Sequence, residues 1–221
     1  MNTLKRLLPL TAFGITFNLL PTVFTTSATA AQLFQATLNS DQEVAPGGAT
    51  NSPATGFANL ELNDAGTELA YSITFSGVDF SDLAPVGSPA NPLDTATLLH
   101  FHEGSREVNG PVVFGQFGPA QDLDDLNTTF NPDDESTTVS GIWDLGDPAS
   151  VPLSTFVPGL LATAPGEDTA LYLNLHSAND PGGIIRGQII ATPVPEPSSL
   201  GFLAIAGVSF LSYQLRKKQS T

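Results

Sequence analysis

The sequence has no cysteine and few basic residues, and these two absences exclude several classes of function. Without a thiol, the chain forms no disulfide, binds no metal through thiolate and performs no cysteine chemistry, so a folded domain must depend on its apolar core. Only seven lysines and arginines stand against 22 aspartates and glutamates. Five of these seven lie near the chain ends, namely Lys5, Arg6, Arg216, Lys217 and Lys218.

The region between the ends is therefore strongly acidic. From Ala31 to Ala191 it has only Arg106 and Arg186 against 21 acidic residues, which is a net charge of −19. Such a surface repels nucleic acid and anionic membranes and favours cations or basic partners. A second interpretation stays open, in which the acidity only keeps the domain soluble outside the cell.

The first 30 residues have the pattern of a secretory signal peptide. Lys5 and Arg6 precede an apolar run from Leu7 to Phe24, and the small residues Ala28 and Ala30 mark a cleavage point. The pattern predicts export across the inner membrane, with residues 1–30 removed. The alternative is that this apolar run is the first helix of the fold.

The C-terminal segment, residues 193–221, combines a proline-rich hinge, a short apolar run and a basic end. Its characteristic residues are Pro195, Glu196 and Pro197 in the hinge and Arg216, Lys217 and Lys218 at the end. The apolar run, from Leu200 to about Leu215, is shorter than the roughly 20 residues that usually span a bilayer. It is therefore marginal as a permanent membrane helix, and its basic end should stay cytoplasmic.

This hinge, apolar run and basic end resemble the PEP-CTERM sorting signal of Gram-negative bacteria. The resemblance implies transient insertion into the inner membrane and removal of the tail by an exosortase. Delivery to the cell surface or the extracellular matrix would follow. The alternative is a plain C-terminal membrane anchor, which depends on the same hydrophobic run.

Residues 31–192 alternate strand-like segments with segments rich in Gly, Pro, Asn and Asp. Strands are predicted at 32–38, 55–62, 67–78, 95–103, 111–117, 137–143, 169–176 and 184–191. The turn cluster at 63–66 between two alternating runs predicts a β-hairpin. About eight short strands and no helix of normal length predict one all-β domain, an antiparallel β-sandwich or flattened barrel. The hydrophobic targeting helices at both ends should lie outside this fold.

All three histidines fall in two of the predicted strands. The alternation of side chains puts Leu99 and Phe101 on one face of their strand and His100 and His102 on the other. In the later strand, His176 also faces away from the leucines. If the two strands are neighbours, the three imidazoles converge and could hold one Zn or Cu ion with an open fourth position. The alternative is structural, with the histidines hydrogen-bonded to glycine-rich loops.

Motifs around these histidines are similar to a known family. The first is His-x-His-x-Gly followed by Gly110-Pro111-Val-Val, and the second is Tyr-x-Asn174-x-His followed by Pro-Gly-Gly and Arg186-Gly-Gln-Ile. Together with the segments between Leu33 and about Ile190, they resemble the CHRD domain, which was first named from chordin and is widespread in secreted bacterial proteins. The resemblance implies an extracellular β-sandwich with a binding or structural role and no assigned reaction.

Two further groups of charged residues are candidate sites. Arg186 is one of only two cations in the domain, and it is predicted to pair with a carboxylate such as Glu103. The acidic segment 121–135 offers oxygen ligands suited to Ca²⁺, from Asp122, Asp124, Asp125 and Asn127. Because this segment lacks the glycine and terminal glutamate of an EF-hand loop, a solvated acidic loop is favoured.

Two functions from different classes follow from the sequence. The favoured one is a non-enzymatic surface or matrix module. Its expected partners are the export machinery, an exosortase that cleaves the tail, and a binding partner at the surface or in the matrix. The other is a mononuclear Zn or Cu protein of redox or hydrolytic function that uses the three histidines.

Overall fold

A computed structural model describes residues 31–44, 50–80, 95–118, 122 and 124–194. These residues contain nine strands, one short helix, α1 (Val157–Ala162), and two single 3₁₀ turns. The strands are β1 (Gln32–Leu38), β2 (Thr55–Leu62), β3 (Leu69–Ser76), β4 (Ala96–Glu103), β5 (Val112–Phe117), β6 (Asn127–Asn131), β7 (Ser136–Trp143), β8 (Asp168–Ser177) and β9 (Ile185–Thr192). They form one sheet in the order β5-β4-β8-β9-β1-β2-β3-β7-β6, in which all neighbouring strands are antiparallel.

The sheet curls into a half-barrel, and its two ends face each other across the apolar core. Phe101 of β4 contacts Tyr71 of β3 and Trp143 of β7, and the ring of Phe114 of β5 stacks on Trp143 with centroids 4.9 Å apart. Burial of such large side chains supplies most of the stabilisation that a domain without disulfides needs. The prediction of an antiparallel all-β fold is confirmed, with nine strands where about eight were expected.

The predicted hairpin connects β2 and β3. Asn63 begins its turn, where its Oδ1 atom accepts a hydrogen bond from the backbone N–H of Thr67. Gly66 has a φ of 66°, a backbone conformation that glycine adopts without strain. The turn therefore explains the register of the two strands, in which Leu62 lies opposite Leu69 next to the turn and Thr55 lies opposite Ser76 at the far end.

The strand β6 was not predicted. Its sequence, Asn-Thr-Thr-Phe-Asn, lies in the polar segment that was expected to be a loop, and only Phe130 is large and apolar. It lies at one edge of the sheet and pairs with β7 alone. Pairing with a long neighbouring strand stabilises β6, and this long-range interaction leaves no periodic pattern in five polar residues.

The arrangement of β4, β8 and β9 positions the histidines. In the register of β4 and β8, Leu98 lies opposite His176, and His100 lies opposite Asn174. Leucines and phenylalanines of these strands enter the core on one face. The polar side chains occupy the other face, as alternation requires.

The terminal segments lie outside this description. The predicted signal peptide with Ala28 and Ala30 falls on residues that the structure does not describe, as does the sorting segment from Pro195 onward. Within the described ranges, none of the helices has the length and apolar character required to cross a membrane.

Candidate metal centre

The structure brings the three histidines together on the face of the sheet that is turned away from the apolar core. One ring nitrogen of each histidine lies within 4.8 Å of the corresponding nitrogens of the other two. The ring centroid of His100 is 5.0 Å from that of His176 and 5.7 Å from that of His102. The side chains are only 6–7% exposed. The predicted convergence therefore occurs, because β4 and β8 are neighbours.

Two of the imidazoles are oriented by backbone carbonyls of the covering loops. The Nδ1 atom of His102 lies 3.0 Å from the carbonyl oxygen of Gly110, and Nδ1 of His176 lies 2.9 Å from that of Pro181. A carbonyl oxygen only accepts hydrogen bonds, so each Nδ1 carries the proton and each neutral ring keeps its lone pair on Nε2. The expected contact between histidines and glycine-rich loops is thus present.

One nitrogen in each of the three rings, by contrast, has no hydrogen-bond partner among the described residues. Nε2 of His102, Nε2 of His176 and Nδ1 of His100 are buried, and no group in the described part of the chain forms a hydrogen bond with them. Buried polar atoms without a partner are uncommon in native proteins. Their grouping in one place is what a ligand-binding site requires.

The protonation of the cluster favours neutral rings. Burial, reinforced by the neighbouring His176 and His102, lowers the pKa of His100 to about 4. Burial also lowers the pKa of His102, although the hydrogen bond with Gly110 opposes this effect, and it lowers the pKa of His176. Neutral imidazole is the form that binds metal, so the site is ready to accept an ion at neutral pH.

A stacked tyrosine and a buried arginine extend the cluster on one side. The ring of Tyr172 stacks on His102 at a centroid distance of 4.9 Å. The guanidinium of Arg186 lies 3.5 Å from the centroid of the Tyr172 ring and donates hydrogen bonds to the carbonyl oxygens of Val108 and Ser105. The guanidinium hydrogen bonds thus go to backbone carbonyls and not to Glu103, and Glu43 is the carboxylate whose charge acts on Arg186 by raising its pKa against the larger, lowering effect of burial.

The motif residues Gly110, Pro111 and Asn174 surround the cluster. The backbone N–H of Gly110 donates to the hydroxyl of Tyr172, and a Cβ atom at Gly110 would overlap the carbonyl oxygen of Glu103. The carbonyl of Pro111 accepts from the backbone N–H of Glu103 and so closes the loop against the end of β4. Asn174 of β8 lies opposite His100 of β4 on one side and opposite Arg186 of β9 on the other.

A second cluster, of carboxylates, lies at another place in the fold. Ligand atoms of Asp122, Asp124 and Asp147 come within 4.8 Å of one another, whereas Asp125 accepts a hydrogen bond from the backbone N–H of Ile142. The carboxylate of Asp122 is buried and accepts a hydrogen bond from the hydroxyl of Tyr71. Asn127, which was considered as a fourth calcium ligand, donates instead to Thr129 on the exposed strand β6. Of the four residues considered for Ca²⁺, only Asp122 and Asp124 belong to this carboxylate cluster.

Two residues of the polar face were not among the expected site residues. Tyr172 shares the histidine face by simple alternation, and its spacing before His176 could have identified it. Gln116 is wholly buried, and both of its amide atoms lack a hydrogen-bond partner among the described residues. The sequence gives little sign of this, because Gln116 lies at an irregularity in the pairing of β4 and β5.

The fold and the cluster together define an all-β module with a histidine-rich candidate metal centre beneath glycine-rich loops. The family model of the CHRD domain matches residues 34–189, and the chain belongs to the CHRD domain family. Membership is consistent with an extracellular or secreted protein. Comparisons with curated proteins and with solved structures found no match.

Proposed function

We propose that this CHRD domain is a non-enzymatic, exported module that binds one transition-metal ion, Zn²⁺ or Cu²⁺, through His100, His102 and His176. Two observations support this: one ring nitrogen of each histidine lies within 4.8 Å of those of the other two, and each histidine has a buried ring nitrogen without a hydrogen-bond partner among the described residues. A Zn–N bond is about 2.0–2.1 Å long, so two nitrogens on one ion are separated by at most about 4.2 Å. Small side-chain movements would bring the cluster within this limit.

The surrounding hydrogen bonds support a metal site over a purely structural role. Metal-binding histidines generally donate their second N–H to a carbonyl or carboxylate, which fixes the ring. The bonds from His102 to Gly110 and from His176 to Pro181 have this form. A structural role would account for these outer nitrogens and would leave the inner ones unsatisfied, at a cost of about 1–3 kcal/mol for each buried group.

Binding is favoured over catalysis because the histidines are covered. Their low exposure leaves little room for a substrate to approach a bound ion. Catalytic zinc sites combine three protein ligands with a position open to water and substrate. The geometry therefore supports a bound ion that stabilises the module or is carried by it.

Metal titration tests the proposal. The exported protein, stripped of metal with a chelator, should bind one Zn²⁺ or Cu²⁺ ion per chain in isothermal calorimetry at pH 7. His100→Ala, His102→Ala and His176→Ala should each weaken binding by more than the 10–100-fold that loss of an outer-shell partner costs. Asp124→Asn serves as the control, because it alters the carboxylate cluster and leaves the histidines intact. An affinity in the three alanine variants equal to that of the wild type, or no binding by the wild type, would refute a histidine site.

We also propose that the protein is sorted through its C-terminal tail, which an exosortase removes before the protein reaches the cell surface or matrix. The supporting features are the Pro195-Glu196-Pro197 hinge, the short apolar run and the basic end. A mature domain of residues 31–192 would remain, and its acidic surface favours cationic partners.

Mass spectrometry of the exported protein tests the sorting. In cells that contain an exosortase, the exported form should end before Leu200. Replacement of Pro195, Glu196 and Pro197 with alanine should leave the tail attached and the protein in the inner membrane. An exported wild-type protein that retains residues beyond Leu200 would contradict this proposal.

A further inference from the structure

A buried glutamine of β5 has no partner for its side chain among the described residues. Gln116 of β5 is 0% exposed, and both its Oε1 and Nε2 atoms are buried without a hydrogen bond to any described residue. An amide has acceptor and donor groups that are nearly always satisfied inside proteins. The unpartnered amide therefore indicates that a polar group belongs beside it.

The pairing of β5 with β4 determines which face Gln116 occupies. Phe117 lies opposite Leu99 and enters the core, while Gly115 lies opposite His100. The register shifts between these two pairs, so Gln116 has no opposite residue of its own, as in a β-bulge. Because neighbouring residues of a strand point to opposite faces, Gln116 lies on the face away from Phe117, which is the face of His100.

The chain beyond β5 stays close to the same imidazole. Gly118 has a φ of 104°, and a Cβ atom there would lie 3.6 Å from Nε2 of His100. This side of the His100 ring is thus covered by the end of β5. The other ring nitrogen, Nδ1, is buried without a hydrogen-bond partner among the described residues.

We propose that Gln116 supplies the fourth ligand of the metal centre through Oε1, which gives a neutral site of three nitrogens and one oxygen. This inference rests on the proposed function of the three histidines. A glutamine oxygen is an established axial ligand in copper sites, and four-coordinate sites closed by protein ligands are typical of structural zinc. A protein ligand in the fourth position also agrees with the low exposure of the cluster.

Replacing Gln116 with leucine should change stability and affinity in opposite directions. Gln116→Leu removes an unsatisfied buried amide, so the metal-free protein should melt at a higher temperature than the wild type. The same variant should bind Zn²⁺ about tenfold more weakly, because it loses one of four ligands. A purely structural glutamine would instead give a less stable variant with unchanged Zn²⁺ affinity.

Cobalt substitution identifies the fourth ligand directly. If Gln116 binds the ion, the visible spectrum of the Co²⁺ protein should not change between pH 6.5 and 9, whereas the Gln116→Leu protein should titrate as a bound water ionises, as zinc-bound water does near pH 7. Gln116→Glu, which keeps the shape and adds a negative charge, should bind Zn²⁺ more tightly than the wild type. This variant decides the question if the leucine variant does not fold.

The outcomes separate this inference from the proposed function. A wild-type protein that binds neither Zn²⁺ nor Co²⁺ would refute the metal site itself. Normal binding by the wild type, with the same affinity and spectrum in Gln116→Leu or no gain in Gln116→Glu, would refute only the role of Gln116.

Discussion

Replacing Leu173 with alanine should lower the free energy of unfolding by about 2–5 kcal/mol, a large part of the stability of a typical domain. Leu173 is fully buried on β8, opposite Phe101 of β4 and Gly187 of β9. The substitution removes apolar contact and leaves a cavity that the surrounding strands fill only in part. The loss should be large because the chain has no cysteine and hence no disulfide to hold the strands together.

Urea unfolding measures this loss, and the fluorescence of Trp143, the only tryptophan of the chain, reports it from inside the core. Leu161→Ala is the matched control. Leu161 lies on α1 and is 48% exposed, so its substitution should change the free energy of unfolding by no more than about 0.5 kcal/mol. Equal midpoints for wild type and Leu173→Ala would show that β8 does not contribute this face to the core.

Local sequence patterns were sufficient to predict most strands of the fold. The segment 32–38 was predicted as a strand and is β1, and the turn at 63–66 connects β2 and β3. These elements depend on alternation and turn residues, which are local properties. The strand β6 was missed because its stability comes from pairing with β7, and the local sequence contains no alternating apolar residues.

The histidine cluster required one step that the sequence does not contain. Alternation placed His100, His102 and His176 on one type of face, but their convergence depended on β4 and β8 being neighbours. These strands are separated by three other strands along the chain, so no local pattern specifies the pairing. The sequence identified the motif residues around the histidines, but it did not predict which groups their side chains contact.

Arg186 and Gln116 show why those contacts were not predictable. A rare cation in an acidic domain was expected to find a carboxylate, yet the guanidinium of Arg186 is satisfied by carbonyl oxygens of the loop after β4. Gln116 lies where an irregular pairing of β4 and β5 shifts the register by one residue, so it has no opposite residue that the sequence pattern could have named. Both depend on backbone geometry that arises only when distant segments pack together.

Acidification should destabilise the metal-free protein below about pH 6.5 through its buried histidines. In the unfolded chain a histidine takes up a proton near pH 6.5, whereas the pKa of buried His100 is lowered to about 4 and those of His102 and His176 are also lowered. Between these pH values the unfolded state binds more protons, so stability falls as pH falls. Each histidine contributes up to about 1.4 kcal/mol per pH unit within its own window.

Carboxylates with raised pKa values act in the opposite direction. Partial burial and neighbouring carboxylates raise the pKa of Asp147, and the pKa of Asp125 is raised to about 6. Because these groups bind protons more readily in the folded state, they add stability as pH falls through the same range. The histidine contribution must therefore be isolated by comparison with variants, and His100→Gln and His176→Gln serve this purpose by removing the titrating group.

Urea unfolding of the metal-free protein at pH 7, 6, 5 and 4.5 measures the effect, with and without Zn²⁺. The wild type should lose more stability than either glutamine variant over this range. At pH 7, Zn²⁺ at about 100 times its dissociation constant should add about 2.7 kcal/mol, because the ion binds the folded state. This gain should shrink toward pH 4.5, where protons begin to compete for the same nitrogens, and persist above it because burial lowers the pKa of His100 to about 4. If the wild type and both variants lose stability in parallel, and Zn²⁺ stabilises all three equally, the histidines are neither the acid-sensitive groups nor the ligands.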